Sequence, residues 1–199
     1  MAWTRKRMGP VKRPLIYQRF PVEQFDLGEV QDYRDSAYWR EKAGKVTYHV
    51  PADWLRYALK PMDSDPAPEV LSDQCVGYYS SVLDTIKKVL TNRSLSFDHR
   101  TMGLTHKSIY ISPFIEQFMQ TSALDPVPLP VSEFYGLGGS RYFRIVLECR
   151  SPASQVVKSG CQFREFPQRN YEEQTLWRVP VQETTLTAVL VKEFPPRSL

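Results

Sequence analysis

The chain has 199 residues, 42% hydrophobic and 13% aromatic, with 26 Lys and Arg against 22 Asp and Glu, a formal net charge of +4. That length carries one domain with a full core, or a domain plus a tail, and the composition excludes global disorder. No apolar run is long enough to cross a bilayer as a helix, and the N-terminus has charges but no apolar signal segment, so neither a membrane span nor secretion is expected.

Sixteen prolines fall mostly between candidate elements, which favours short segments and a mixed α and β domain. Cys75, Cys149 and Cys161 are odd in number and widely spaced, and two of them sit in strand-like stretches. Buried free thiols in a reducing, intracellular setting, cytoplasmic or cytoskeletal, are therefore expected. No C-x-x-C or His pair calls for a metal.

Residues 1–22 carry Arg5, Lys6, Arg7, Lys12, Arg13 and Arg19 ahead of the first carboxylate, Glu23, interspersed with Pro10, Pro14 and Pro21 and with Trp3, Tyr17 and Phe20. The prolines disfavour regular structure, so an extended basic arm is expected, suited to an acidic protein surface or to nucleic acid, or else solvated as a tail. From residue 23 to 199 a single α+β domain is expected.

Within it, Tyr33, Ala37 and Tyr38 share one face of a helix drawn from Glu29 to Ala43, with Gly44 as its stop. Val46 to Val50 reads as a strand ended by Pro51. Asp53 then caps a short helix carrying Trp54, Leu55, Ala58 and Leu59. Residues 61–73, with prolines at 61, 66 and 68, read as an internal loop.

Cys75 to Tyr79 reads as a strand running through Ser80 and Ser81 into a helix. Ser81 is the expected N-cap, Asp84 stands three residues on, and Val82, Leu83, Ile86, Val89 and Leu90 recur at helical spacing up to Asn92. A loop holding His99, Arg100 and His106 leads to a second such unit. There Ser108 to Ile111 is the strand, Ser112 the cap, Pro113 the first helical residue, and Ile115, Phe118 and Met119 the buried stripe.

The glycines of residues 135–140 serve a turn, because a strand follows them and not the helix a dinucleotide loop requires. Tyr142 to Cys149 alternates, with Phe143, Ile145, Leu147 and Cys149 on one side, as a central antiparallel strand would. Residues 156–166 give a further strand with Cys161 and Phe163, residues 167–174 a polar turn, and residues 176–181 and 184–194 the last two strands. No G-x-S-x-G elbow, H-E-x-x-H pair or phosphate-binding loop occurs.

The two strand-turn-helix units, VGYYSSVLDTIKKVLTNRSL and KSIYISPFIEQF, resemble the nucleotide-binding half of ADP-ribosyltransferases of the poly-ADP-ribose polymerase kind. In that family the first turn carries His-Gly-Thr or His-Gly-Ser, and the second carries a tyrosine that stacks on nicotinamide. WLRYALK, YFRIVLECR and TLTAVLVKEF are similar to further segments of such domains, so the resemblance spans roughly residues 46–194. It implies a split antiparallel sheet with short helices and an NAD cleft. Tyr79 falls at the ribose-binding histidine, Ser80 and Ser81 at the small residues after it, and Tyr110 at the stacking tyrosine, with Ser112 and His106 beside it. His99 and Arg100 are candidates for pyrophosphate, and solvent-facing loop residues otherwise.

Two departures weigh against catalysis. Tyr79 replaces the histidine, altering an oriented hydrogen bond worth about 1–3 kcal/mol. The catalytic glutamate, expected near Leu176 and Trp177, has no counterpart in register; the nearest carboxylates are Glu172, Glu173 and Glu183. A fixed anion stabilises the oxocarbenium-like transition state, and its loss costs on the order of 3–4 kcal/mol. The expectation is therefore a non-catalytic interaction or structural protein with no cofactor. Its basic arm would dock to an acidic partner surface, of which a microtubule-type lattice is one example. The alternative is an active NAD-dependent mono-ADP-ribosyltransferase using Tyr79, Tyr110 and Glu173.

Overall fold

The computed structural model describes residues 20–32, 39–43, 46–50, 53–72, 74–95, 108–115, 127–130, 140–159 and 176–194. In chain order the strands are β1 (Phe25–Asp32), β2 (Trp39–Ala43), β3 (Val46–Val50), β4 (Leu55–Leu59), β5 (Cys75–Tyr79), β6 (Ser108–Ile111), β7 (Val127–Pro130), β8 (Ser140–Ser151), β9 (Val157–Ser159), β10 (Leu176–Pro180) and β11 (Thr185–Phe194). Helix α1 (Pro68–Ser72) follows β4, and α2 (Leu83–Asn92) follows β5. The architecture is α+β, with antiparallel pairing throughout and few, short helices.

The large sheet runs β1-β4-β11-β8-β5, and β7 pairs with the same flank of β8 as β5, at its other end. A smaller sheet runs β6-β10-β9, and β2 and β3 form a separate hairpin in which Ala43 pairs with Val46. The expected alternation on β8 holds. Phe143, Ile145, Leu147 and Cys149 enter the main core, and Val146 enters a second cluster on the opposite face. Side chains alternate across a strand, so a central strand covered on both faces must be apolar on both.

The main core lies between the large sheet, the small sheet and α2. Tyr57, Leu59, Leu147 and Val189 come from the first, Ile109, Ile111, Trp177 and Val179 from the second, and Ile86, Val89 and Leu90 from the third. Gly77 lets the two sheets meet, since a Cβ built there falls within 2.4 Å of Ile111 Cδ1. A strand glycine often marks such a close approach. The second cluster, on the other face of the large sheet, holds Trp54, Val76, Tyr78, Ile115, Val146 and Leu190.

Helix α2 forms at the expected spacing and spans 83–92. Its cap is Val82, with no side-chain bond to the first turn, so Ser81 is not the cap and is instead buried. It ends because Arg93 takes the left-handed conformation, φ 52°, with its N–H donating to Leu90 O and that of Ser94 to Val89 O.

Two expected helices are strands. The stretch from Glu29 to Ala43 begins in β1 and ends in β2, with residues 33–38 outside the described residues. Residues 55–59 are likewise extended as β4, despite the helical spacing of Trp54, Leu55, Ala58 and Leu59. The same residues also alternate, with Leu55, Tyr57 and Leu59 toward the main core and Arg56 away from it. Pairing with β1 on one side and β11 on the other satisfies the backbone and decides between the two periods.

A third correction concerns Pro113: residues 113–115 form a bend and turn instead of a first helical turn, and Phe118 and Met119 lie outside the described residues. Of the strand expected over 156–166, Val157–Ser159 forms, and Cys161 and Phe163 lie outside the described residues. Phe20 is buried in the main core, so the folded part begins no later than that residue; Arg5, Lys6, Arg7, Lys12, Arg13 and Arg19 lie outside the described residues.

Candidate functional site

The two strand ends that the sequence singles out do meet. Tyr78 N–H donates to Ser112 O at 2.7 Å and Ser112 N–H to Tyr78 O at 2.9 Å, an antiparallel bridge that joins β5 of the large sheet to the end of β6 in the small one. Beyond this seam the chain turns into α2 on one side and into the bend at Pro113 on the other.

The side chains of the seam are disposed differently from the expectation of one open cleft. Tyr79 is 3% exposed, its ring within the main core. Tyr110 is half-buried and opposite Arg178 in register. Because Ile109 and Ile111 point into the core, Tyr110 faces the outer side of the small sheet. The two rings are thus on different surfaces.

Ser112 Oγ accepts from Phe114 N–H and donates to Phe114 O, both at 3.0 Å, so its hydroxyl is spent on holding the bend. Ser80 keeps a buried hydroxyl oxygen without a partner among the described residues. Glu183 is exposed in a short 3-10 turn, Val181–Glu183. Glu172, Glu173, His99, Arg100 and His106 lie outside the described residues.

A polar constellation that the sequence reading missed lies on the face of the large sheet opposite the main core. Arg56 on β4 grips Glu148 on β8 in a bidentate pair, Nε to Oε2 at 2.9 Å and Nη2 to Oε1 at 2.7 Å. Thr187 Oγ1 on β11 donates to Oε1 at 2.8 Å. Tyr78 is the cross-strand neighbour of Glu148 on the β5 side.

Burial opposes the charge on Glu148, but the charge and hydrogen bonds of Arg56, the Thr187 hydroxyl and the charge of Arg150 together hold its carboxyl below the usual carboxylate range. A fork-to-fork Arg–carboxylate pair uses both oxygens, and this one ties three strands together across the sheet. The signal available in the sequence was a carboxylate two residues from Val146, in the phase of β8 opposite to Phe143, Ile145, Leu147 and Cys149, and one arginine within LRYAL.

Cys75 and Cys149 are buried free thiols on neighbouring strands, and burial raises both, with the Glu148 charge adding to the rise at Cys149. They are therefore protonated and enclosed, unlike nucleophilic or ligating thiolates. Among the described residues no group of three or more His, Cys, Asp or Glu is arranged to hold a metal ion, and no helix is long and apolar enough to cross a membrane.

The site therefore combines a backbone seam whose serine is engaged, an enclosed Tyr79, and a carboxylate neutralised within the sheet. No family model, no curated protein and no solved structure matches this chain.

Proposed function

We propose that this chain is a non-catalytic interaction or structural protein on an ADP-ribosyltransferase-like α+β scaffold. Its basic N-terminal arm docks to an acidic surface in a larger intracellular assembly, for which a cytoskeletal lattice is suitable. The observation that carries this reading is Tyr79, enclosed in the main core at the position where the resemblance puts a ribose ligand. A phenol packed among aliphatic side chains contributes to stability and is closed to a dinucleotide. Glu148 supports the same view, since a carboxylate already satisfied by Arg56 and Thr187 has no free charge to lend to a developing oxocarbenium ion.

The alternative, an active NAD-dependent mono-ADP-ribosyltransferase, is favoured by one observation: the Tyr78–Ser112 bridge brings together the two turns that such a cleft needs. Thermal unfolding with NAD separates the two. A ligand at a hundred times its dissociation constant stabilises by about 2.7 kcal/mol, so an unchanged melting temperature at millimolar NAD is expected. Transfer of labelled ADP-ribose that is lost in Tyr110→Ala would establish the alternative instead. Deletion of residues 1–19 is expected to abolish capture by the acidic partner while the domain's melting temperature stays within a few degrees.

A further inference from the structure

Charge is divided sharply near the start of the chain. Residues 1–19 hold Arg5, Lys6, Arg7, Lys12, Arg13 and Arg19 with no carboxylate, whereas residues 20–32 hold Glu23, Asp26, Glu29 and Asp32 with no cation. Glu23 and Glu29 are exposed, and among the described residues Glu23, Asp26 and Glu29 form no ion pair, unlike Asp53, Asp65, Asp84 and Glu148, which each meet a cation.

Strand β1 closes one border of the large sheet, with β4 as its one partner strand among the described residues. Its register shifts between Phe25 and Val30, and Gly28 and Glu29 within that interruption are exposed. A charged and interrupted border turns away other strands but attracts a segment of opposite charge. Directly before β1, Gln24 N–H donates to Pro21 O at 3.2 Å, closing a 3-10 turn over Val22–Gln24. Such a turn reverses the direction of the chain.

We propose that residues 12–19 fold back beside β1 and lay Lys12, Arg13 and Arg19 against Glu23, Asp26 and Glu29, so that the basic arm is held by its own domain until an acidic partner displaces it. The occupant follows from charge and from reach. Residues 12–19 equal in number the eight of β1, and at ~3.3 Å per residue they extend along its whole length. Each exposed ion pair is weak alone, but the short tether supplies an effective concentration on the order of millimolar. This deepens, and rests on, the reading that the arm binds an acidic surface: that surface must outcompete the carboxylates of β1.

The test uses the full chain at low ionic strength. Carbodiimide coupling joins a lysine amine to a carboxylate as an amide, the carbodiimide leaving as a urea, and mass spectrometry is expected to find Lys12 joined to Glu29 or Asp26 within one chain. Affinity for a fluorescein-labelled oligoglutamate is read by anisotropy. The variant carrying Glu23→Gln, Asp26→Asn and Glu29→Gln is expected to bind about five-fold tighter than wild type, because its arm is no longer held, and the difference is expected to vanish at high salt. A control carrying Asp63→Asn, Asp84→Asn and Glu183→Gln removes the same charge from exposed positions elsewhere and is expected to stay near wild type.

Equal affinity of wild type and the β1 variant, equal tightening in the control, or coupling that is absent from Glu23, Asp26 and Glu29 or joins only separate chains would each overturn the fold-back while leaving the arm reading intact. Coupling of Lys12 to β1 without oligoglutamate binding by any of the three proteins would support the fold-back and overturn the partner reading. The coupling is read on the wild-type chain, so a variant that fails to fold leaves it decisive.

Discussion

At Gly77 the main core tolerates no side chain, because Ile111 of the small sheet already occupies the space a methyl group would need. Gly77→Ala is expected to lower stability by about 1–3 kcal/mol in urea titration, the range for overpacking, and the added substitution Ile111→Val to recover part of the loss. A glycine inside a strand pattern could be read from the sequence as a close approach, but its partner lies on a strand more than thirty residues away and could not. Glu148 teaches a similar lesson. Its phase on β8 was legible, whereas the arginine that neutralises it sits ninety-two positions earlier. Removing one partner of a buried pair leaves an uncompensated charge, so Glu148→Leu alone is expected to cost about 3–5 kcal/mol, while Arg56→Met combined with Glu148→Leu is expected to lie near the parent in the same titration.

Helix α2 and the strands around it show where local pattern suffices and where it fails. The bounds of strands β5 and β6 follow from the sequence, because short apolar runs bounded by polar turns leave little choice. Residues 54–59 fit both periods, and only the two flanking strands, one from each end of the chain, select the extended form. Nothing in the residue type marks Arg93 as the left-handed residue that ends α2. Its guanidinium donates to Lys60 O and lies 3.8 Å from Asp65, whose own side chain accepts from Met62 N–H at 2.8 Å, so one side chain pins the 60–65 turn to the end of the helix. Left-handed backbone costs a side-chain-bearing residue about 1–2 kcal/mol. Arg93→Ala is therefore expected to destabilise by losing the pin, and Arg93→Gly to lie above Arg93→Ala by about 1 kcal/mol, as thermal unfolding of the pair would reveal.

For the molecule as a whole, the legible part is the α+β class and the order of most later strands, and the illegible part is how the candidate ligands face. Tyr79 and Tyr110 have similar sequence surroundings, yet one lies in the core and the other on an outer surface, a difference set by which face each sheet turns toward the other. The pH dependence of folding belongs to this scale. The folded Glu148 carboxyl lies below its unfolded value of about 4.3, so its contribution is fully present above that pH and is lost as pH falls through the folded value. Relative to the variant carrying both Arg56→Met and Glu148→Leu, the parent is expected to lose stability below about pH 4 and hold it at pH 7, measured as urea midpoints across pH.

Strand β11 fills the gap between β4 and β8, near the middle of the large sheet, although it is drawn from the end of the sequence. On the ribosome, the facing edges of β4 and β8 must wait for residues 185–194 to emerge before their backbone groups are paired. A product terminated before Thr185 would hold two unsatisfied borders facing each other, the kind of surface that chaperones retain and that neighbouring nascent chains can invade.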